Sequence, residues 1–200
     1  MGYIMNVSAI VMAAGLSLRM QQNKLLMKIG EKHIFEFILE TINRCKCFNE
    51  VVVVANEETI LARAAELGFK AVKNEFSHIG QSESIKIGIQ SSSNADGYMF
   101  FTADQPFISE ETIKKLMAAF KSDQNNIVVP SYNGNVGSPA IFPSCLKKHL
   151  LMLQKDNGGK AIIKENLERT TKVNICSEME NMDIDTVEDY EKVQKKKVIE

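Results

Sequence analysis

The run Val7-Ser8-Ala9-Ile10-Val11-Met12 passes without a break into Ala13-Ala14-Gly15-Leu16-Ser17-Leu18-Arg19-Met20, and the segment closes on Lys24-Leu25-Leu26. This stretch constrains the fold more than any other. Its first six residues are apolar and β-leaning, the composition of a parallel strand covered on both faces. Ala13, Ala14 and Gly15 are small enough to let an anion approach the backbone, and successive N–H groups form a nest for phosphate oxygens. Ser17 can add a hydroxyl donor, and Arg19 and Lys24 supply two cations able to fold over a polyphosphate. A glycine turn after a strand is ordinary chain punctuation; Ser17, Arg19 and Lys24 in the same segment turn it into a phosphate loop. Neither a G-x-x-x-x-G-K-[ST] loop nor a G-x-G-x-x-G fingerprint occurs in the chain, so the common ATPase and dehydrogenase patterns are missing.

The segments that follow alternate between strand and helix. Ile34, Phe35, Ile38, Leu39 and Ile42 share one helical face, Val51 to Ala55 is a buried strand, and Ile60, Leu61, Ala64 and Ala65 mark a helix stopped by Gly68. Phe69 to Val72 makes a third strand. Such an alternation predicts a right-handed, mostly parallel sheet with helices on both faces, which binds ligands at the carboxyl ends of its strands. The segment Gly80-Gln81-Ser82-Glu83 then opens a helix with Ser82 as the predicted N-cap. Gly97 to Thr102 is a further buried strand, running into Ala103-Asp104-Gln105-Pro106. Asp104 is placed to offer hard oxygen ligands to Mg²⁺ beside the phosphate loop. Ser109 caps the next helix, Ile127 to Pro130 and Ala140 to Phe142 are strands, and Thr186 is the predicted cap of a last helix. Asp183 and Asp185 precede that helix, and either returns to the metal or holds the loop.

Charge and cysteine content exclude other chemistry. The 200 residues carry 24 basic and 25 acidic side chains, so no basic field points to nucleic acid or an anionic membrane surface, and any anion site must be local. Neither a membrane-length apolar run nor a signal peptide is present, which makes a cytoplasmic enzyme the expectation. Cys45, Cys47, Cys145 and Cys176 lack zinc or disulfide spacing and read as reduced and mostly structural. His33, His78 and His149 have no motif neighbours.

Taken in order, A-A-G-x-S-x-R-M with a Lys four residues on, Gly80-Gln81-Ser82, Asp104-Gln105-Pro106, Gly137-Ser138-Pro139 and Asp156-Asn157-Gly158-Gly159-Lys160 resemble the motifs of the MobA-like nucleotidyltransferases. Within that superfamily the chain looks most like the molybdopterin cytidylyltransferase branch, close to the guanylyltransferases, and the resemblance runs from Ala9 to Tyr190. Ala14 leans towards the cytidylyl branch, where guanylyl enzymes more often have Gly. The departures are Gln21 for the usual Gly, and Lys155, Gly159 and Lys160 for Gly, Ala and Arg; a Lys keeps the charge but loses the bidentate fork.

The resemblance implies a Rossmann-like three-layer α/β/α nucleotidyltransferase fold with a mostly parallel sheet, one domain over residues 1–200. It implies nucleotide binding by Ala13, Ala14, Gly15, Ser17, Arg19, Lys24, Gly80 and Ser82, catalysis by Arg19, Lys24 and Asp104, metal binding by Asp104 and Asp185, and an acceptor side shaped by Gly137, Pro139 and Asp183. The expected cofactor is Mg²⁺, with Mn²⁺ as substitute; the donor is CTP, the acceptor molybdopterin and the recipient a molybdenum hydroxylase. The alternatives are GTP as donor, another small phosphorylated acceptor, or a non-catalytic carrier of nucleotide or cofactor.

Overall fold

A computed structural model of the chain describes residues 5–15, 20 and 22–197. The central sheet contains β1 (Val7–Ala13), β4 (Glu50–Ala55), β5 (Lys70–Lys73), β6 (Gly97–Thr102), β7 (Ile127–Tyr132), β8 (Asn135–Val136), β9 (Ala140–Pro143) and β10 (Thr170–Asn174). Between β1 and β4 lies a small antiparallel hairpin of β2 (Lys28–Ile29) and β3 (Lys32–His33). The helices are α1 (Ile34–Cys45), α2 (Glu58–Glu66), α3 (Gln81–Ser91), α4 (Glu110–Ser122), α5 (Lys147–Leu151), α6 (Gly159–Glu165) and α7 (Val187–Lys197).

Strand order is β10-β7-β9-β6-β1-β4-β5, with β8 paired to β7. The pairs of β1 with β4 and β6, of β4 with β5 and of β7 with β10 are parallel, while β9 runs antiparallel to β6 and β7. From β1 the chain builds outward through β4 to β5 and then returns to the other side of β1 as β6. That reversal opens a crevice at the carboxyl ends of β1 and β6, where ligands bind in open α/β sheets.

The central strands β1, β6, β7 and β9 are buried on both faces, and their side chains alternate with period two. Val7, Ala9, Val11 and Ala13 of β1 join Val53, Met99 and Phe101 in a core under α1, α2 and α4, while Ile10 joins Val52, Val54 and Phe100 under α3, α5 and α6. The result is the three-layer α/β/α arrangement that the alternation predicts. On α1 the five expected apolar residues are buried, each stabilising the fold by roughly 1.5–3 kcal/mol through removal from water. The Glu36 carboxylate accepts from the His33 N–H at 2.8 Å, closing a capping box. Thr186 caps α7 as expected, its hydroxyl accepting from the Asp189 N–H at 3.2 Å. Helix α3 lies so close to β1 that a Cβ on Gly88 would collide with Ile10.

The four cysteines are free thiols, and burial explains only two of them. Cys145 and Cys176 are exposed, which corrects the expectation of mostly structural cysteines. Lys46, in the left-handed region at φ 49°, ends α1 and turns Cys45 and Cys47 towards each other, with 3.1 Å between their sulfurs. Burial, and next the hydrogen bond with Cys45, pushes the Cys47 thiol up to about 12, so Cys47 stays protonated.

Candidate active site

Parallel pairing puts Met12 of β1 opposite Thr102 of β6, and the Ala103 N–H donates to the Met12 carbonyl at 3.1 Å. The Ala14-Gly15 turn and Asp104 thereby leave the sheet side by side. Lys24 starts a single 3₁₀ turn, Lys24–Leu26, held by the Asn23 side-chain oxygen, which accepts from the Leu25 N–H at 3.0 Å, and by the buried Leu25 side chain. From there its ammonium donates to Asp104 Oδ2 and to Asp185 Oδ1, at 2.6 Å each. Asp185 arrives from the other end of the chain: Ile184 is buried, and its N–H donates to the Asp104 carbonyl at 3.1 Å.

This knot of charge is partly withdrawn from water. The Lys24 and Asp104 side chains are 12% and 19% exposed, whereas Asp185 is 45% exposed. Burial acts to lower the Lys24 pKa, but Asp104 and then Asp185 outweigh it and hold the ammonium above its usual range. Asp183, on the other side of Ile184, has its carboxyl pushed up to about 6, by burial first and then by the charges of Asp104 and Asp185. Lys24 thus shares its one positive charge between two carboxylates, and Asp183 stands in the field of both.

Two cavities meet at this point. The larger, about 660 Å³, is lined by Ala14, Gly15, Lys24, His78, Gln81 and Ser84 among others. The smaller, about 370 Å³, has an apolar wall of Ile85, Phe100, Phe142, Leu150 and Ile163, with Lys160 and Asp183 also at its surface. Both are lined by Met12, Gln81, Thr102, Asp104, Asp156 and Asp185, so they form one cleft with the acidic cluster at the junction.

The expected site residues distribute unevenly over this cleft. Ala14, Gly15, Lys24, Gly80, Asp104 and Asp185 line the larger cavity, and Gly137, Asp183, Asp104 and Asp185 line the smaller. Ala13 is buried within β1, opposite Ala55, and takes no part in either wall. Ser17 and Arg19 lie outside the described residues. Pro139 is not in the wall of either cavity, although its neighbours Ser138 and Ala140 are.

Ser82 requires a correction. Helix α3 starts at Gln81 with Gly80 as its N-cap, so Ser82 is already inside the first turn and caps nothing. Gly80 sits at φ 130°, a conformation that favours glycine, and a Cβ there would run into the Lys155 carbonyl. The Ser82 N–H donates to that carbonyl at 3.0 Å, and the side chain is turned fully into the protein, its hydroxyl without a partner among the described residues. Gln81 and Ser84 line the cavity in its place. They are three residues apart, on one face of the helix, a spacing visible in the sequence once the helix start is moved by two residues. The apolar wall of the smaller cavity had no such signal, because its residues come from α3, β6, β9, α5 and α6.

The donor chemistry fits a hard divalent cation. Asp104 Oδ1 is buried and has no hydrogen-bond partner among the described residues, and the Asp185 carboxylate reaches the same ammonium as Asp104. Among the described residues, no group of three or more His, Cys, Asp or Glu forms a closed metal cage. Two carboxylates with the remaining positions left to phosphate and water is the arrangement usual for Mg²⁺. No helix among the described residues is long and apolar enough to cross a membrane.

Comparison with known proteins agrees with this architecture. The chain is 33% identical over 132 residues to a probable molybdenum cofactor guanylyltransferase of Natranaerobius thermophilus, covering 65% of this chain and 62% of that relative. A nucleotidyl transferase from Methanothermobacter thermautotrophicus superposes with a TM-score of 0.82 at 18% identity, over 97% of this chain and 98% of the other. The Rv0371c protein of Mycobacterium tuberculosis, solved in complex with manganese, superposes with a TM-score of 0.76 at 22% identity, over 95% and 98% of the two chains. Residues 9–171 match the MobA-like NTP transferase domain, and the chain belongs to that family.

Proposed function

We propose that the protein is a nucleotidyltransferase that moves a nucleoside monophosphate from a nucleoside triphosphate onto the phosphate of molybdopterin and releases pyrophosphate. The observation that carries this reading is the Lys24 ammonium joined to Asp104 and Asp185 where the two cavities meet. The larger cavity holds the triphosphate, with the Ala14-Gly15 amides and Lys24 at its phosphates, and Gly80, Gln81 and Ser84 along the nucleoside. The smaller holds the acceptor, its flat ring system against Phe100 and Phe142 and its phosphate directed to the junction. Gly137 and Asp183 belong to this acceptor side.

An acceptor phosphate oxygen attacks the α-phosphorus in line, and the bond to the leaving pyrophosphate breaks. No protein nucleophile takes part. Lys24 holds and neutralises the phosphates as charge shifts to the leaving group, Arg19 from the same loop adds a second cation, and Asp104 and Asp185 hold Mg²⁺ or Mn²⁺. The metal supplies charge neutralisation and alignment of phosphate oxygens. Residues 1–200 act as one domain, a reading supported by the return of Ile184 to Asp104 and of the Tyr190 hydroxyl to the Lys28 carbonyl at 2.7 Å.

CTP is the proposed donor, on the strength of Ala14. GTP is the second reading, favoured by the identity to a guanylyltransferase. A molybdenum hydroxylase is the proposed recipient of the product and the cytoplasm the place of work. Pyrophosphate release measured with each of the four ribonucleoside triphosphates, with and without molybdopterin and Mg²⁺, tests the proposal. Release with CTP only when acceptor and metal are both present is the expected result, and release with GTP alone exchanges the donor while keeping the mechanism. Binding of a triphosphate with no release under any condition contradicts catalysis and favours a carrier.

A further inference from the structure

We infer that Lys24 is the resident cation of the metal site, and that the triphosphate opens this site to the metal by drawing Lys24 away; the inference rests on the reading of the cleft given above. The ammonium bridges Asp104 Oδ2 and Asp185 Oδ1 at 2.6 Å each. These are the two carboxylates that would hold the divalent cation, and an ammonium in contact with an oxygen excludes a metal from the same lone pairs. The bridge is an ordered one. Lys24 is fixed at its root by the buried Leu25, Asp185 is fixed beside it by the buried Ile184, and the Lys24 side chain is only 12% exposed.

Lys24 also lines the larger cavity, so it has two sets of partners within reach: the carboxylates in the free protein, and the phosphates of a nucleotide in the loaded one. A triphosphate carries more charge than the two carboxylates that hold Lys24, and a charged partner in a shielded cleft interacts more strongly than in water. Once Lys24 turns to the phosphates, its ammonium no longer occupies Asp104 Oδ2 and Asp185 Oδ1, and the affinity of the pair for a divalent cation rises. Metal and nucleotide are then coupled positively through one side chain, and by linkage the effect is reciprocal. The free enzyme would hold metal weakly and acquire it with its substrate. The structure offers a competing arrangement: Asp104 Oδ1 has no hydrogen-bond partner among the described residues, and a metal seated there alone would leave the Lys24 bridge in place.

The test is Mn²⁺ binding to the full chain without nucleotide, followed by electron paramagnetic resonance of the free ion, in wild type, Lys24→Gln and Lys160→Gln. Lys160 lines the same cleft without an ion pair to Asp104 or Asp185 and controls for simple loss of a positive charge. We expect Lys24→Gln to bind Mn²⁺ at least about tenfold more tightly than wild type, and Lys160→Gln to stay within about twofold. A variant-free readout is the side-chain ¹⁵N signal of the Lys24 ammonium in wild type: it should move on adding CTP or GTP under EDTA, and on adding Mg²⁺ alone at high concentration. Equal Mn²⁺ affinity in wild type and Lys24→Gln, with a Lys24 signal that still moves on adding triphosphate, overturns the inference and leaves the proposed function standing. A Lys24 signal unmoved by every triphosphate, with no triphosphate bound, overturns the proposed function and the inference together.

Discussion

The two sides of the cleft are built on different principles. The larger cavity takes its polar contacts from short runs of sequence, the Ala14-Gly15 turn, the 3₁₀ turn at Lys24 and the first turn of α3. The smaller has one apolar wall, Ile85, Phe100, Phe142, Leu150 and Ile163, drawn from five separate elements, beside polar residues such as Gln105, Lys160 and Asn181. Local charge suits a ligand part that is the same in every nucleotide, the phosphate chain. A wall collected from distant elements suits recognition by shape, since apolar contact discriminates by fit. Substitutions on the first side should therefore act on turnover, and those on the second on acceptor affinity.

The largest effect is expected at the junction. Asp104→Asn should lower turnover by about a thousandfold or more, with thermal unfolding little changed, because Asp185 still partners Lys24. Pyrophosphate release together with a melting curve checks this, and a loss confined to the acceptor KM would break the division between the two sides. Phe142→Leu addresses the other wall. Phe142 packs edge-on against Phe100 with 5.7 Å between ring centroids, and shortening it should raise the acceptor KM by roughly tenfold while the nucleotide KM stays within about twofold.

Gly80→Ala sharpens the comparison at the seam where both cavities share the loop around Asp156. The added Cβ would meet the Lys155 carbonyl and come within 2.7 Å of the Asp156 carboxylate, at a φ of 130°. A loss of about 1–3 kcal/mol in urea unfolding is expected, with both KM values raised.

The smallest effect concerns pH. With its carboxyl pushed up to about 6, folded Asp183 takes up a proton at a pH where the unfolded chain, near its ordinary 3.8, does not. Its contribution thus opposes folding above pH 6 and is relieved as pH falls from about 6 towards 4. With metal chelated, wild type should gain on the order of 2–4 °C in Tm relative to Asp183→Asn between pH 7 and pH 5, a modest shift because the site is partly solvated. Parallel Tm curves for the two proteins would contradict the assignment.

Much of the fold was legible in the sequence. The β-leaning run at Val7, the helical face from Ile34 to Ile42 and the Ser109 cap are signals carried by adjacent residues, and each element forms where local propensity and pattern agree. Ala14, Gly15, Lys24 and Asp104, singled out by the same kind of adjacent signal, line one cavity. Ser82 misled, because Gly80, at a φ of 130° open to glycine, takes the N-cap position against the Lys155 loop and leaves the serine turned inward, a tertiary effect that no local rule contains. Phe100, Phe142, Leu150 and Ile163 are ordinary apolar positions in the sequence; only the insertion of antiparallel β9 beside β6 brings them to one wall.

The most direct test of the division of the cleft is a crystal structure of the protein with Mg²⁺ and a non-hydrolysable CTP or GTP analogue. The prediction is a triphosphate in the cavity between Gly15 and Gln81, its α-phosphorus at the junction, Lys24 on the phosphates and Asp104 and Asp185 on the metal. A nucleotide seated instead against Phe100 and Phe142, or one bound with the Lys24 bridge to both carboxylates intact and the metal elsewhere, would contradict it.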